Sequence, residues 1–329
     1  MFNDIKTFLQ EMPLPHYLAG GFLSTKEPTL AFFCGREQIQ ALAAGVRGGV
    51  GYETSLEKDN DAPPLANGQA NLATGRGSRT LSRKLTSRYR LRRNVKHLFV
   101  VDPDKKDRFF GVDTLERMHQ KDVPSALEEM HENPQQIFGN WPDQTPFRWA
   151  IVNREISLGL ETIPRIDEPL LMFGITDEIC ASFESWSQTQ GASIVAILPL
   201  PVAVLAWANN TLATKDRDSL VVVATDQGAV SAGFKRRSLI YISQEETASD
   251  AFSVLERESD DLGLDCPVRY LWALNHTEDR RTIPEDLVII DEENIQRISG
   301  ASLLLQEGHG KKIKHDQPLA HLLNWLVSQ

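Results

Sequence analysis

The stretch from Leu170 to Ile242 constrains the fold more than any other part of the chain. It opens with the apolar run "LLMFGIT" (170–176), which has the length and composition of a buried strand. Asp177 and Glu178 follow, acids that favour the positive end of a helix dipole, and Ile179, Phe183 and Trp186 then recur at spacings that put them on one helical stripe. Gly191 ends that helix and "SIVAILPL" (193–200) is a second strand. Pro201 opens a second helix carrying Val204, Leu205 and Trp207, after which "SLVVVATDQG" (219–228) returns to a sheet. Strands and helices that alternate in this way predict an α/β domain with a largely parallel sheet.

The remaining chain is less regular. "PTLAFFCG" (28–35) reads as a short buried strand and "REQIQALAAGV" (36–46) as a helix with Ile39, Leu42 and Ala43 on one face. Residues 45–77 are rich in Gly, Asn, Asp, Pro and Ala and poor in large apolar side chains, which predicts an exposed excursion. "KHLFVVDPD" (96–104) predicts a strand ended by a Pro turn, and "PSALEEMHENPQQIF" (124–138) a helix. "TPFRWAIVNREISL" (145–158) alternates Phe147, Trp149 and Ile151 as a strand exposed on one side does. Ser243 with Glu246 has capping-box spacing before a helix that faces Phe252 and Leu255 to a core. Strands are predicted at 267–274 and 285–291, and an amphipathic helix at 318–329 carries Leu319, Leu322, Leu323 and Leu326. The letters contain no visible internal repeat.

Several function classes fall away. Three widely spaced cysteines, Cys34, Cys180 and Cys266, form no CxxC pair or zinc spacing and point to a reducing cytoplasm. The first residues lack a signal peptide's pattern, and no run is long enough to span a bilayer. The eight histidines show neither HxH nor HExxH spacing, and neither GxSxG nor GxxxxGK[ST] occurs. No residue stands out as catalytic or metal-ligating.

Charge is unevenly spread. The formal net charge is −10, yet nine basic residues and no acid lie between Arg76 and Lys96. Arg79, Arg83, Lys84, Arg88, Arg90, Arg92 and Arg93 form the basic faces of a helix over 79–93 whose apolar stripe is Leu81, Leu85 and Tyr89. Such a helix suits contact with nucleic acid or anionic lipid, or is a solvated face or a dock for an acidic partner, this chain's own acidic remainder included. The lone aromatic Tyr89 disfavours nucleic acid.

The most chemical stretch is "VVVATDQGAVSAGFKRRSLIYI" (221–242), a strand, an acidic Gly turn, a strand, a basic turn and a third strand. Asp226, Gln227 and Gly228 have the form of a phosphate loop, in which a carboxylate at a strand end precedes a Gly that lets the backbone turn tightly. A hairpin turn without a ligand accounts for the same letters. This hairpin resembles that of the actin, sugar kinase and Hsp70 superfamily. The order from about Pro124 onward, with "QQIFGNWPDQTPFRWAIVNREI" leading into an edge strand, is similar to PilM-like proteins of type IV pilus assembly and GspL-like cytoplasmic domains of type II secretion, a match over roughly residues 95–260.

The resemblance implies an α/β, actin-like (ribonuclease H-like) two-lobed fold with mixed sheets flanked by helices. It implies a first lobe over 1–170 with an inserted subdomain at about 105–165, and a second over 171–329. A paired first phosphate loop is expected early in the chain, where Gly20, Gly21, Ser24, Thr25 and Lys26 are the nearest candidates but lack the acid. Magnesium is held in such sites by one or two carboxylates, so its loss weakens the case for ATP with Mg²⁺, the one cofactor the resemblance brings. The expectation is a non-catalytic cytoplasmic scaffold, peripheral at the inner membrane, that docks inner-membrane assembly proteins and is free to form a homodimer. The alternatives are an ATPase or sugar-kinase-like enzyme using Asp226, and a nucleic-acid or lipid binder using 76–96.

Overall fold

A computed structural model describes residues 28–35, 38–46, 49–56, 87, 95–114, 133, 147–152, 169–212, 217–225, 227–273, 287–299, 303–307, 311–315 and 317–328. Its elements, numbered over those residues, begin with β1 (Thr29–Cys34), β2 (Gln38–Val46), β3 (Gly49–Leu56), β4 (Lys96–Val101), β5 (Arg108–Thr114), β6 (Phe147–Val152) and β7 (Pro169–Thr176). There follow α1 (Asp177–Thr189), β8 (Ser193–Pro199), α2 (Leu200–Thr211), β9 (Ser219–Thr225), β10 (Gly228–Lys235), β11 (Ser238–Glu245) and α3 (Ala248–Asp261). The last are β12 (Val268–Ala273), β13 (Val288–Ile290), α4 (Ile295–Ser299), β14 (Leu303–Glu307), β15 (Lys311–His315) and α5 (Pro318–Ser328).

These strands make three sheets, ordered β15-β14-β3-β2-β1-β4-β8, β11-β10-β9-β12-β13 and β5-β7-β6. In the first, β1, β2 and β3 form an antiparallel meander, while β4 and β8 add in parallel beside β1. The second repeats this plan: β9, β10 and β11 are the meander, and β12 and β13 add in parallel beside β9. One arrangement is thus built twice from unrelated letters. The third sheet is antiparallel throughout.

The alternation over 170–242 predicted its elements well and their sheet wrongly. β7 joins the third sheet, β8 the first and β9 to β11 the second, so no single parallel sheet contains them. Residues 36–46 were expected as a helix and are mostly the strand β2, hydrogen-bonded on both edges by β1 and β3. Ile39, Ala41, Leu42 and Ala43 are all fully buried, so both faces are apolar and no two-residue period shows in the letters. Pairing on both sides overrides the helical preference of the alanines. The expected excursion over 45–77 contains β3 at its start, and residues 57–77 lie outside the described ones, as do 124–132 and 134–138 of the predicted helix.

One apolar core joins the two mixed sheets. From Leu200 to Asn209 every residue of α2 is buried, and the helix touches β4 and β8 on one side and β9 and β10 on the other. A helix apolar all round needs cover all round, which two sheets supply. Trp207 of α2 meets Trp272 of β12 edge to face, with ring centroids 5.5 Å apart. α5 lies over β1 and β2 and against α2, with Leu319, Leu322, Leu323 and Leu326 buried as its spacing requires.

α3 packs on β9, β10 and β11. Its cap is Thr247, whose hydroxyl accepts the N–H of Asp250 at 3.1 Å, and not Ser243, which lies within β11. In the third sheet Gly174 stands between Phe109 and Trp149, and the Phe109 ring fills the space a side chain would need, an added Cβ falling 2.1 Å from a ring carbon.

Candidate functional site

β9 ends at Thr225 and β10 begins at Gly228, opposite each other across the turn singled out above. The Thr225 hydroxyl accepts the N–H of Gln227 at 3.0 Å and donates to the carbonyl of Gly228 at 3.4 Å. Gly228 has φ +100, a conformation that side chains rarely adopt, and a Cβ there would lie 2.7 Å from the carbonyl oxygen of Glu245. Turn geometry and the neighbouring strand therefore account for this glycine by themselves. Asp226 lies outside the described residues.

The turn is gripped from the other sheet. Arg108, the first residue of β5, donates from Nη2 to the carbonyl of Gln227 at 3.2 Å. Its Nη1 lies 3.1 Å from Oδ1 of Asp102, and the two side chains are 1% and 2% exposed. Asp102 follows β4 directly, and its N–H donates to the carbonyl of Cys34 at the end of β1. One guanidinium thus links the carboxyl ends of β1 and β4 in the first sheet to the β9–β10 turn of the second. Burial lowers the pKa of Arg108, and the neighbouring Asp102 carboxylate opposes this.

Packing completes the seam. The Arg108 guanidinium carbon lies 5.9 Å from the centre of the Phe110 ring, and Arg108 Nε has no hydrogen-bond partner among the described residues. Nearer solvent, Lys105 and Glu246 pair at 2.7 Å across the same seam. A single 3₁₀ turn, Lys105–Asp107, carries the chain from Asp102 to Arg108, its closing bond running from the N–H of Asp107 to the carbonyl of Asp104 at 2.8 Å. Asp107 is buried, which raises its carboxyl above the ordinary aspartate value against the pull of Lys106.

Two of the three guanidinium nitrogens of Arg108 are therefore engaged within the protein. A buried pair of this kind contributes little net stability but is costly to break by halves.

Sequence reasoning found the turn and missed its grip. Asp102 and Arg108 flank "PDKKD" between apolar strands, and a charge directly abutting a buried run was the available signal. Gly20, Gly21, Ser24, Thr25 and Lys26 lie outside the described residues, as do Arg79, Arg83, Lys84, Arg88, Arg90, Arg92 and Arg93. Among the described residues no cluster of His, Cys, Asp and Glu is placed to hold a metal, and no helix is long and apolar enough to cross a membrane.

No protein-family model matches the chain. No curated protein matches it either. Among solved structures it is similar to a chain of the PilM–PilN type IV pilus biogenesis complex, at 13% identity and a TM-score of 0.53, covering 81% of this chain and 89% of that one. It is also similar to the cytoplasmic domain of EpsL, an inner membrane component of the type II secretion system of Vibrio cholerae, at 11% identity and a TM-score of 0.45 over 92% of this chain and 95% of that one. A Bacteroides thetaiotaomicron protein with an actin-like ATPase fold is similar at 10% identity and a TM-score of 0.40, over 84% of this chain and 90% of that one. The fold is thus actin-like, with mixed α/β sheets flanked by helices, as the hairpin resemblance implied.

Proposed function

We propose that the chain is a non-catalytic actin-like scaffold that docks inner-membrane partners of a pilus or secretion assembly from the cytoplasmic side. The observation that carries this reading is the likeness, over most of both chains, to a component of the PilM–PilN complex. The seam is consistent with the non-catalytic part, because the guanidinium beside the β9–β10 turn is already engaged by Asp102 and by the carbonyl of Gln227. Two lobes follow the two mixed sheets in this reading. β8 and the β14–β15 hairpin go with the first lobe although they lie beyond residue 170, and the third sheet is its inserted part.

The test is direct binding. The purified chain is titrated with the cytoplasmic peptide of a PilN-type protein from the same genome and, separately, with ATP and Mg²⁺. Saturable peptide binding with no heat from ATP supports the scaffold. Heat from ATP that disappears in Asp226→Ala, without peptide binding, replaces it with the enzyme reading.

A further inference from the structure

The chain carries a basic hairpin tip, an exposed cysteine and the Arg108 seam. The tip, Lys235 to Arg237, is held by Asp218, which accepts the N–H of Arg236, and Cys266 is exposed with no second feature that points to a ligand. The seam goes further.

We infer that Arg108 is a built-in pin that ties Gln227 of the β9–β10 turn to the carboxyl end of β4 and holds it immobile. The inference rests on the scaffold reading and adds a conformational device to it. Arg108 belongs to neither sheet that it joins, entering from the first strand of the third, so it can act on both without disturbing either hydrogen-bond ladder. Gln227 is the turn residue whose carbonyl accepts from this donor, and Gly228 beside it already carries the turn's backbone demand, so the guanidinium is free to act on position. The carboxylate that orients Arg108 is itself tied through its backbone to the end of β1, so the hold is referred to the first sheet's centre. The Lys105–Glu246 pair repeats the crossing at the surface, where side chains 45% and 78% exposed make it weak. The buried crossing therefore dominates.

Hydrogen exchange on the full chain tests this. In Arg108→Met, which keeps much of the side chain's volume, amides in peptides covering 225–229 should exchange at least about tenfold faster, while those of α2 (200–211) keep their wild-type rate. Asp102→Asn, which leaves the packing intact, should give the same pattern with a smaller increase and carries the test if the first variant fails to fold. Unchanged exchange at 225–229 in a folded variant overturns the pin. So does an increase shared equally by α2, which would make Arg108 an ordinary stabilising residue. ATP and Mg²⁺ titrated into the wild type separate the two proposals: heat there sinks the scaffold reading, whereas the exchange pattern alone decides the pin.

Discussion

Arg108 reaches Asp102 at 3.1 Å with both side chains almost sealed from solvent, and the two stand at opposite ends of a single 3₁₀ turn. So short a connection leaves each residue little freedom to find another partner. Removing one leaves the other charge buried.

The pair should therefore behave asymmetrically in denaturation. Arg108→Ala is expected to cost about 3–5 kcal/mol, read as a lower urea midpoint, whereas Arg108→Met with Asp102→Leu should cost less than Arg108→Ala alone. A double replacement as costly as the single one would show that the charges do not act as a pair.

Acid should weaken the fold through His97. This residue of β4 is buried among Phe32, Phe99 and Trp186, with Nδ1 3.0 Å from the Ser187 hydroxyl, and burial holds its pKa down at about 3. An unfolded histidine titrates near ~6.5, so between that pH and about 3 the unfolded chain takes up a proton the folded one refuses. The contribution is intact above the upper value and falls as pH drops, by at most about 1.4 kcal/mol per pH unit. His97→Gln, which does not titrate, should show a shallower acid limb in unfolding curves measured from pH 7 to 4.

The β10–β11 turn carries removable strain. Arg236 and Arg237 have φ of 54 and 88, a pairing that two-residue hairpins normally give to Asn and Gly. Buried Asp218 holds the turn by accepting the N–H of Arg236 at 3.1 Å and that of Asp265 at 2.8 Å. Arg236→Gly keeps the donated N–H and should raise stability by about 0.5–1 kcal/mol in thermal unfolding. Asp218→Ala strands both donors and should lower it by about 2–3 kcal/mol.

Thiol chemistry should distinguish the cysteines. Cys34 and Cys180 are buried, and burial pushes the Cys180 thiol up to about 12, while Cys266 is exposed. A thiol-reactive dye at pH 8 should label one site quickly in the native protein and all three in denaturant. Fast native labelling of Cys180 would contradict its packing.

The letters disclose what depends on near neighbours. Pro201 at the start of α2, the Ile179–Phe183–Trp186 stripe of α1 and the leucines of α5 each carry a period or a stop that needs no distant residue. They do not disclose which sheet a strand will join, because β7, β8 and β9 are equally apolar and differ only in their partners. β2 failed for the same reason, being a strand made by its two neighbours. The turn at Gly228 was legible because its demand on the backbone is local. Its hold by Arg108, 119 residues earlier, was not.

The first sheet has a consequence for how the chain comes into being. β3, complete by residue 56, pairs along its far edge with β14 at 303–307, and α5 at 318–328 covers β1 and β2. During synthesis the ribosome must add some 250 residues before that edge and that face can be closed. Until then the earliest strands present an open ladder and bare apolar surface to the cell, the state in which chains aggregate or recruit chaperones. The nascent protein is at its most vulnerable around β1 to β3.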